Sequence, residues 1–428
     1  MTFSLALYRK VMAIVHGFAP RLLAGRVAKG KEHPERVGER LGQTGTERPD
    51  GALVWFHGVS VGESLSALPV IERLRAERPD LKIMITTATT TSADILAQRL
   101  PAGVTHQFAP IDTPQAVAAF LDHWRPSLAI FIESDIWPTL LSELEHRHVP
   151  HVLLSARITE KTFKGWQTFR NSMKRLLTGY ALIMAQDGDS EGRLRAMGDS
   201  VTARLGARAN LKTIGKALPV NATDLDTLRA ATPGRYVFLA ASTHEGEEAI
   251  ISKSLESFLI AGDLLIIVPR HPARADDIRL DLQAIGFRPA QRTNGDKITE
   301  DTQIYLADTL GELGLFFSRA DLTIMGGSFM QGIGGHNPLE PARLGKCVVT
   351  GPDIGNWEGI FADLLHDGAA FRVQGPEELK FLISQLRQNP LAVIEADRRA
   401  LAVSQREAGT LDTIWAGLAP LLPKAAAI

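Results

Sequence analysis

The chain has 428 residues, of which 45% are hydrophobic and 22% are charged, as is ordinary for a soluble globular enzyme of two or three domains. The formal net charge of −1 excludes a global positive field that would attract nucleic acid, so we expect no nucleic-acid partner. Cys347 is the only cysteine, which excludes a disulfide framework and a cysteine-rich metal site and fits a reducing compartment.

The N-terminal segment, residues 1–30, is apolar and carries scattered cations but no acidic residue. Its apolar runs are shorter than the ~20 residues that a membrane-spanning helix needs, and no signal-peptide cleavage site is obvious. Such a segment suits the surface of an anionic membrane, whereas the alternative is a helix packed on the protein body. We expect membrane association, because its apolar side chains need cover. These side chains are Phe3, Leu5, Leu7, Val11, Ile14 and Phe18.

From Ala52 onward, short apolar runs alternate with longer amphipathic runs that have helical spacing. Strands that are apolar throughout and separated by helices predict a parallel sheet with helices on both faces. The predicted strands of the first half are ALVWFH, KIMITT, THQFAP, LAIFI, HVLLS and ALIMAQ.

The alternation breaks at residues 210–235, where two prolines and polar turn residues predict a linker. A second series follows, with the predicted strands YVFLAAS, LLIIVPR, QIYLAD, LTIMGG and CVVTG. We therefore predict an α/β protein with two doubly wound Rossmann-like domains that face each other across a cleft, since ligands of open sheets bind at the carboxyl ends of the strands. The predicted domains span residues 31–215 and 220–405, and a C-terminal helix, 406–428, is expected to return to the first domain.

Two loops of the first domain place a glutamate at the carboxyl end of a strand. The loop HGVSVGESL puts Glu63 at the start of a helix, and it is neither a dinucleotide fingerprint nor a P-loop. The loop IESDIWP puts Glu133 directly after its strand. The structural alternatives are an acid that complements the helix dipole for Glu63, and a helix cap formed by Ser134 or Asp135 in the second loop. A pair of such glutamates can divide the roles of proton acceptor and charge stabiliser.

Three loops of the second half carry residues that suit a nucleotide. Arg270 ends the strand LLIIV, where a guanidinium suits bidentate phosphate binding unless it is only a surface residue. The loop ADTLGELG places Gly311 and Glu312 where a strand turns into a helix. In ASTHEGEEA, Ser242 and His244 precede a helix and form either a phosphate or sugar loop or a helix cap.

The glycine-rich stretch GGSFMQGIGGHNPLEPARLG runs from a strand into a predicted helix. Asn337 is a good N-cap, Pro338 fits the first helical position and Glu340 falls at the third, which resembles a capping box. Helix initiation does not explain Gly334 and Gly335, which permit close approach of the backbone to a ligand. A helix N-terminus opposite a glycine loop is an anion site, and its glutamate can accept hydrogen bonds from ribose hydroxyls.

The sequence offers one further polar candidate and no metal motif. Lys212, in ANLK near the predicted joint between the domains, either reaches the expected cleft or lies on the surface. There is no HExxH, no paired aspartate motif at a strand end and no histidine cluster with ligand spacing, so we expect no metal and no other cofactor.

Together these loops resemble the 3-deoxy-D-manno-octulosonic acid (Kdo) transferases of Gram-negative bacteria, which are glycosyltransferases of the two-domain GT-B type. The most specific segments, WFHGVSVGE, ASTHEGEE, VPRHPAR and GGHNPLEPA, occur in the family's order, and the resemblance runs from ERLG at 39–42 to GPDIGNW at 351–357. It implies transfer of Kdo from CMP-Kdo to a lipid A precursor, lipid IVA, with inversion at the anomeric carbon. It also implies work at the cytoplasmic face of the inner membrane, in lipopolysaccharide biosynthesis.

The same resemblance assigns roles to single residues. It implies that Glu63 is the general base that takes the proton of the acceptor hydroxyl, and that Glu133 and Lys212 stabilise the transition state. The chain departs from the family's usual pattern at Thr139 and Ser155, in the half expected to hold the acceptor. The expected donor-binding residues are Pro269, Arg270, His271, Leu310, Gly311, Glu312, Gly334, Gly335, Asn337, Pro338, Leu339 and Glu340, with Ser242 and His244 beside them.

Two alternatives of other kinds remain at this level. One is another GT-B enzyme that acts on a UDP-sugar, such as a lipid A disaccharide synthase or a UDP-GlcNAc epimerase. The other is a nucleotide-sugar-binding protein without catalytic activity, against which the presence of Glu63 argues. Binding of CMP rather than UDP separates the family resemblance from the first alternative.

Overall fold

The computed structural model of the protein describes residues 2–133 and 136–424. The proposed caps Ser134 and Asp135 lie outside the described residues. The described residues fall into two compact units, and the first contains the chain up to Ile214 together with the chain from Gly409 onward. The second unit is Gly215–Ala408.

The first unit is built on a six-stranded parallel sheet with the order β3-β2-β1-β4-β5-β6. The order reverses between β1 and β4, which makes this pair the topological switch point where open α/β sheets bind ligands. All six predicted strands are present, with ends displaced by at most two residues. They are β1 Leu53–His57, β2 Lys82–Thr87, β3 Val104–Phe108, β4 Leu128–Ile132, β5 His151–Ala156 and β6 Leu182–Ala185.

Side chains alternate between the two faces of this sheet, and each face has its own apolar core. Trp55 and Phe131 pack with Trp124 on one face, while Phe56 and Ile130 pack on the other. The helices that cover the sheet are α1 Phe3–Val27, α2 Val61–Glu77, α3 Thr90–Arg99, α4 Pro114–Trp124, α5 Pro138–His146, α6 Glu160–Thr168, α7 Arg170–Gly179, α8 Gly188–Arg195 and α9 Asp199–Thr202, with a 3-10 helix at Pro34–Leu41.

The second unit is built on a seven-stranded parallel sheet with the order β13-β12-β11-β7-β8-β10-β9. Its switch point lies between β7 and β11. The strands are β7 Val237–Thr243, β8 Leu264–Pro269, β9 Pro289–Gln291, β10 Ile304–Leu306, β11 Leu322–Met325, β12 Val348–Thr350 and β13 Ala370–Arg372. The edge strands β9 and β13 were not predicted, because their segments PAQ and AFR lack the apolar run that marks the equally short β10 and β12.

The predicted linker at residues 210–235 was wrong for part of its length. A 3-10 turn at Leu211–Thr213 and a helix, α10 Ala222–Ala231, lie within it. The Asn221 side chain caps α10 by accepting hydrogen bonds from the backbone of Thr223 and Asp224, and Leu228 is buried in the core of the second unit. The polar residues read as turn formers are therefore helix-start signals.

The other helices of the second unit cover both faces of its sheet. They are α11 Glu247–Ile260, α12 Ala275–Ala284, α13 Leu313–Arg319, α14 Leu339–Arg343, α15 Glu358–His366, α16 Pro376–Gln388 and α17 Pro390–Ala408, with a 3-10 turn at Pro272–Arg274. The last helix, α18 Thr410–Leu418, belongs to the first unit, where Ile414 and Leu418 enter the core and Thr410 Oγ1 lies 3.0 Å from Thr213 Oγ1. A 3-10 turn at Ala419–Leu421 follows it.

Helix α1 packs one face against the first unit and leaves the other face uncovered. Tyr8 donates a hydrogen bond to Asp112 at 2.9 Å, and Leu5 is buried by the protein itself. The expectation that Leu5 needs outside cover was therefore wrong. None of the described helices is long and apolar enough to cross a membrane. The exposed large apolar side chains of α1 are Phe3, Leu7, Val11, Ile14, Phe18 and Leu22.

Candidate active site and family

Glu63 lies at the start of α2, in the loop that follows β1. It forms a capping box with Ser60: the Glu63 amide donates to Ser60 Oγ at 3.3 Å, and Glu63 Oε2 accepts from the amides of Ser60 at 3.3 Å and Val59 at 2.6 Å. Gly58 allows this turn, since a Cβ there would lie 3.2 Å from the Glu63 Cβ. Glu63 therefore does take part in capping its helix. These bonds hold one oxygen of its carboxylate, Oε2, at the edge of the sheet where ligands bind.

Glu133 directly follows β4 and pairs with Lys212. Its φ of 62° is left-handed, a conformation that non-glycine residues adopt rarely and that often marks a functional site. Lys212 Nζ lies 2.7 Å from Glu133 Oε1, and the carboxylate is buried. The structure therefore joins two residues that the sequence suggested separately, and it places Lys212 against a carboxylate rather than on the open surface.

The segment that carries Lys212 is held by two hydrogen bonds from its backbone to side chains of the first unit. Asn210 Oδ1 accepts from the Lys212 amide at 3.0 Å, and Ser155 Oγ accepts from the Leu211 amide at 3.2 Å. Ser155, one of the departures from the family pattern, has a left-handed φ of 55° at the end of β5. Strand β5 neighbours β4, so the sheet brings the lysine to Glu133.

These groups gather at the switch point of the first sheet, since β1 and β4 are neighbours there. Glu63 follows the first of these strands and Glu133 the second, with Lys212 beside it. The histidine of the same loop, His57, is fully buried, and burial lowers its pKa to about 3, so it stays neutral and is a poor base. Glu63 is consequently the group of this loop that suits the role of proton acceptor.

In the second unit, three loops bring histidines together. His244 Nε2 lies 2.9 Å from His336 Nε2 with the rings stacked, and His271 meets His244 edge-on with a centroid distance of 5.8 Å. Burial lowers the pKa of His336 to about 4. His244 and His271 were predicted, whereas His336 was missed. Among the described residues, no group of three or more His, Cys, Asp or Glu side chains could hold a metal ion.

Arg270 and Ser242 flank this histidine cluster. Arg270 follows Pro269 at the end of β8, donates its amide to Thr243 O at 3.0 Å and exposes its guanidinium. Ser242 has a left-handed φ of 58° near the end of β7. No ion pair of Arg270 is found in the part of the chain that the structure describes, so its charge faces solvent and suits an anionic ligand.

In the segment Leu310–Glu312, the carboxylate of Glu312 is already occupied by another side chain of the protein. Glu312 is held by Arg292, whose Nε and Nη2 lie 2.8 and 2.5 Å from its two oxygens, and this ion pair lowers the pKa of the carboxyl group. Gly311 has a φ of 85°, and Leu310 is 81% exposed. The segment therefore offers a glycine turn and an exposed apolar side chain to a ligand, with Glu312 acting as its anchor.

The predicted helix start at Asn337–Glu340 is corrected in detail. Helix α14 begins at Leu339, so Pro338 occupies the N-cap position and Glu340 is the second helical residue, and the capping box does not form. Asn337 lies one residue before the cap, and its Oδ1 accepts from the amide of Leu339, the first helical residue, at 3.0 Å. Burial raises the pKa of Glu340, whose side chain also bonds Asn337. Because α14 has only five residues, it carries little macrodipole for an anion.

Gly334 and Gly335, two further predicted residues, shape the loop before α14 through their backbone conformation. Gly334 and Gly335 have φ values of 85° and 75°, which only glycine adopts without strain. A Cβ at Gly334 would lie 2.6 Å from the side-chain nitrogen Nδ2 of Asn356 and 3.1 Å from its backbone nitrogen. The Leu339 side chain is fully buried in the core, so only its backbone remains for a ligand.

Comparison with known proteins decides the family. Residues 35–213 match the model of a family described as 3-Deoxy-D-manno-octulosonic-acid transferase (kdotransferase). A 3-deoxy-D-manno-octulosonic acid transferase of Rickettsia felis is 35% identical over 366 residues, which cover 82% of this chain and 77% of the relative. This chain belongs to the Kdo transferase family. The Haemophilus influenzae member is 32% identical over 346 residues, 79% of each chain.

Solved structures place this Kdo transferase in the GT-B fold. The UDP-GlcNAc 2-epimerase from Neisseria meningitidis, bound to UDP-GlcNAc, superposes with a TM-score of 0.56 over 86% of this chain and 99% of its own. Its identity is 13%, so the likeness concerns the fold alone. The fold class predicted from the sequence, two parallel-sheet α/β domains of the GT-B type, is confirmed, and the family identifies a glycosyltransferase rather than an epimerase.

Proposed function

We propose that this Kdo transferase moves Kdo from CMP-Kdo to a hydroxyl of the lipid A precursor lipid IVA, with inversion at the anomeric carbon. The observation that supports this most is the group at the first switch point. Glu63 is fixed by its capping box, and Glu133 is paired with Lys212 at 2.7 Å on the neighbouring strand. A single displacement needs a base that takes the acceptor proton, and fixed charges at the reacting carbon stabilise its transition state.

Glu63 acts as the general base in this reaction. The acceptor O–H proton passes to the Glu63 carboxylate while the acceptor oxygen bonds to the anomeric carbon of Kdo. The bond from that carbon to the phosphate oxygen breaks, and CMP leaves with the electron pair. One displacement from the face opposite the leaving group inverts the anomeric centre. The capping bonds to Oε2 hold the carboxylate in one rotamer, which favours a productive approach.

Glu133 and Lys212 act as fixed charges. A glycosyl carbon gains positive character in the transition state, as in glycoside hydrolysis, and a carboxylate stabilises it. The left-handed backbone of Glu133 and the bonds that hold residues 210–212 fix both charges before substrate binds, so no reorganisation is needed during the reaction.

The donor nucleotide binds to the second unit in this proposal. Arg270 is exposed and without an ion pair among the described residues, so it suits the phosphate of CMP. The histidine cluster, the glycine turn at Gly311 and the segment from Asn337 to Glu340 complete the donor site. The charge of the leaving CMP is held by Arg270, and we propose that neither a metal nor another cofactor takes part.

Helix α1 binds the membrane surface that holds the lipid acceptor. Its six exposed apolar side chains follow one another at spacings of three or four residues and so form one stripe along the helix. Lys10 and Arg21 are exposed on the same helix, as expected for contact with anionic lipid. We place the enzyme on the cytoplasmic face of the inner membrane, where it lies on the surface.

Mass spectrometry of the reaction products tests the proposed function. The enzyme is incubated with a tetra-acylated lipid A precursor and either CMP-Kdo or UDP-GlcNAc. We expect the precursor to gain the mass of one or more Kdo residues with CMP-Kdo only. An unchanged precursor in the presence of CMP-Kdo, or conversion of UDP-GlcNAc, would contradict the proposal. Calorimetric titration with CMP and UMP gives an independent check on the nucleotide.

A further inference from the structure

Glu247 forms an arrangement at the second switch point to which no role has so far been given. It begins α11 after the loop that follows β7, and it is fully buried. Its Oε2 accepts from the amides of His244 at 2.8 Å and Gly327 at 2.7 Å. Its Oε1 accepts from the amides of Ser328 at 3.0 Å and Phe329 at 2.9 Å. One carboxylate therefore binds four backbone N–H groups.

Three of these donors are consecutive amides of the glycine-rich loop that follows β11. Consecutive amides that point to one spot form a nest, an arrangement that proteins use to bind anions. Its position beside the switch point between β7 and β11 is where open α/β sheets place ligands. Here the occupant of the nest is the protein's own carboxylate, and within the described chain Glu247 has no cationic partner.

The nest is connected directly to the proposed donor site. The ring of His336 lies on Gly327, where a Cβ would be 2.8 Å from the ring's Cδ2. The Gly335 amide donates to Gly327 O at 2.7 Å, which closes the loop on itself. His336 in turn reaches His244, whose own amide binds Glu247. The Glu247 carboxylate thus binds the backbone of His244 directly and also binds Gly327, the residue on which the ring of His336 lies.

We propose that Glu247 is a positioning residue of the donor site. Its carboxylate is a built-in anion that holds the amides of residues 327–329 and of His244, and thereby sets the position of His336 and of the segment from Asn337 onward. This inference depends on the proposed binding of the donor nucleotide to the second unit. Glu247 itself does not touch the donor; it acts through the loop.

The chemistry of the nest predicts how substitutions behave. An amide in place of the carboxylate turns one oxygen into an N–H donor that faces backbone donors, so Glu247→Gln should displace the loop although its shape is conserved. Glu247→Ala empties the nest, and a small carboxylate anion such as formate can enter it. Glu245 is an exposed carboxylate in the same motif, so Glu245→Gln is the matched control.

The test measures CMP affinity by calorimetry and steady-state kinetics with CMP-Kdo in the full-length enzyme. We expect Glu247→Gln and Glu247→Ala to raise the Kd of CMP and the KM of the donor at least tenfold, with the acceptor KM unchanged and with Glu245→Gln like the wild type. Formate should restore CMP affinity in Glu247→Ala but not in Glu247→Gln. A role in folding alone would not give this separation of donor from acceptor KM or this rescue.

The outcomes separate this proposal from the donor assignment on which it depends. Unchanged CMP affinity in both variants, beside normal binding by the wild type, would overturn the role of Glu247 alone. A wild-type enzyme that does not bind CMP would overturn the donor assignment and this role together. Glu247→Asp keeps the charge but withdraws it by one methylene, so it should remain folded and lose CMP affinity partially. Full affinity in Glu247→Asp together with failed formate rescue would contradict the proposal.

Discussion

Lys212 Nζ lies 2.7 Å from Glu133 Oε1, and both side chains are largely shielded from water. The lysine comes from the 3-10 turn Leu211–Thr213, and the glutamate directly follows strand β4. The left-handed backbone of Glu133 and the hydrogen bond from the Leu211 amide to Ser155 bring the two segments together. The pair therefore depends on the tertiary fold and not on a local motif.

The pair should behave as one unit in catalysis. We expect Glu133→Gln and Lys212→Met each to lower the transfer rate by roughly 10²- to 10³-fold, the range found when one preorganised electrostatic group is removed. The double variant should be no slower than the slower single variant, because each substitution already abolishes the ion pair. Steady-state kinetics on all three proteins measures this. Rate losses that multiply would show that the two residues act independently.

Substitutions on the exposed stripe of α1 should release the enzyme from lipid. We expect Ile14→Glu combined with Phe18→Glu to reduce binding to anionic vesicles severalfold or more, since both side chains are more than 60% exposed. CMP affinity should not change. Deletion of the helix is a poorer test, because it would also expose the apolar surface of the first unit against which Leu5 and Leu23 pack.

Vesicle sedimentation measures the effect of these substitutions. Ile260→Glu is the matched control, because Ile260 is an apolar residue of the second unit and is 71% exposed. Equal loss of vesicle binding in the control, or full binding by the double variant, would remove α1 as the membrane contact.

The helix found inside the predicted linker gives a prediction about stability. Asn221 accepts hydrogen bonds from two amides at the start of α10, so Asn221→Ala should lower the free energy of unfolding by about 1 kcal/mol. Asn221→Asp retains a capping oxygen and should be nearly neutral. Urea unfolding of the three proteins measures the difference. Equal stability of Asn221→Ala and the wild type would mean that the cap contributes nothing.

A buried histidine of the first unit should make stability depend on pH. His106 lies 3.1 Å from Arg36 Nη2 and 3.0 Å from Thr87 Oγ1, and burial together with Arg36 lowers its pKa from 6.5 to about 4. As the pH falls, His106 is therefore protonated in the unfolded chain at a higher pH than in the folded protein. The stability that the neutral ring supplies is complete above pH 6.5 and is lost as the pH falls through 4.

NMR titration of the His106 ring tests this directly. The ring should remain neutral at pH 5, and the free energy of unfolding should rise between pH 4.5 and 6.5 by less in His106→Gln than in the wild type. Asp112 opposes this trend, because burial raises its pKa from 3.8 to about 6, so the stability that its protonated form supplies is lost as the pH rises from 3.8 through 6. A His106 ring that titrates near 6.5 would contradict the prediction.

The sequence predicted the sheets well because their strands are apolar and bounded by helices. It failed where the signal is weak or ambiguous: β9 and β13 carry the segments PAQ and AFR rather than an apolar run, and Asn221 lies in a stretch whose polar residues were taken for turn residues. The helix expected to begin at Pro338 begins at Leu339, so Pro338 takes the N-cap position that was expected for Asn337, although the Asn337 side chain still accepts from the Leu339 amide.

Many residues of the candidate site were proposed one by one from the sequence, but the contacts between them were not predicted. Glu133 and Lys212 were proposed separately, since nothing in a linear sequence measures the distance between them. His336 and Glu247 were not selected, because each draws its importance from partners on another loop. Such contacts depend on strand order, which the periodicity of a single sequence does not reveal.

The transfer rate of Glu63→Gln is the measurement that tests the central claim most directly. Glutamine can still complete the capping box with Ser60, so α2 and the loop should remain intact. We predict that the rate of Kdo transfer falls by roughly 10²- to 10⁴-fold, the contribution of a general base, while the Kd of CMP equals that of the wild type. A variant that binds CMP normally and transfers Kdo within a few-fold of the wild-type rate would contradict the role of Glu63 as the base.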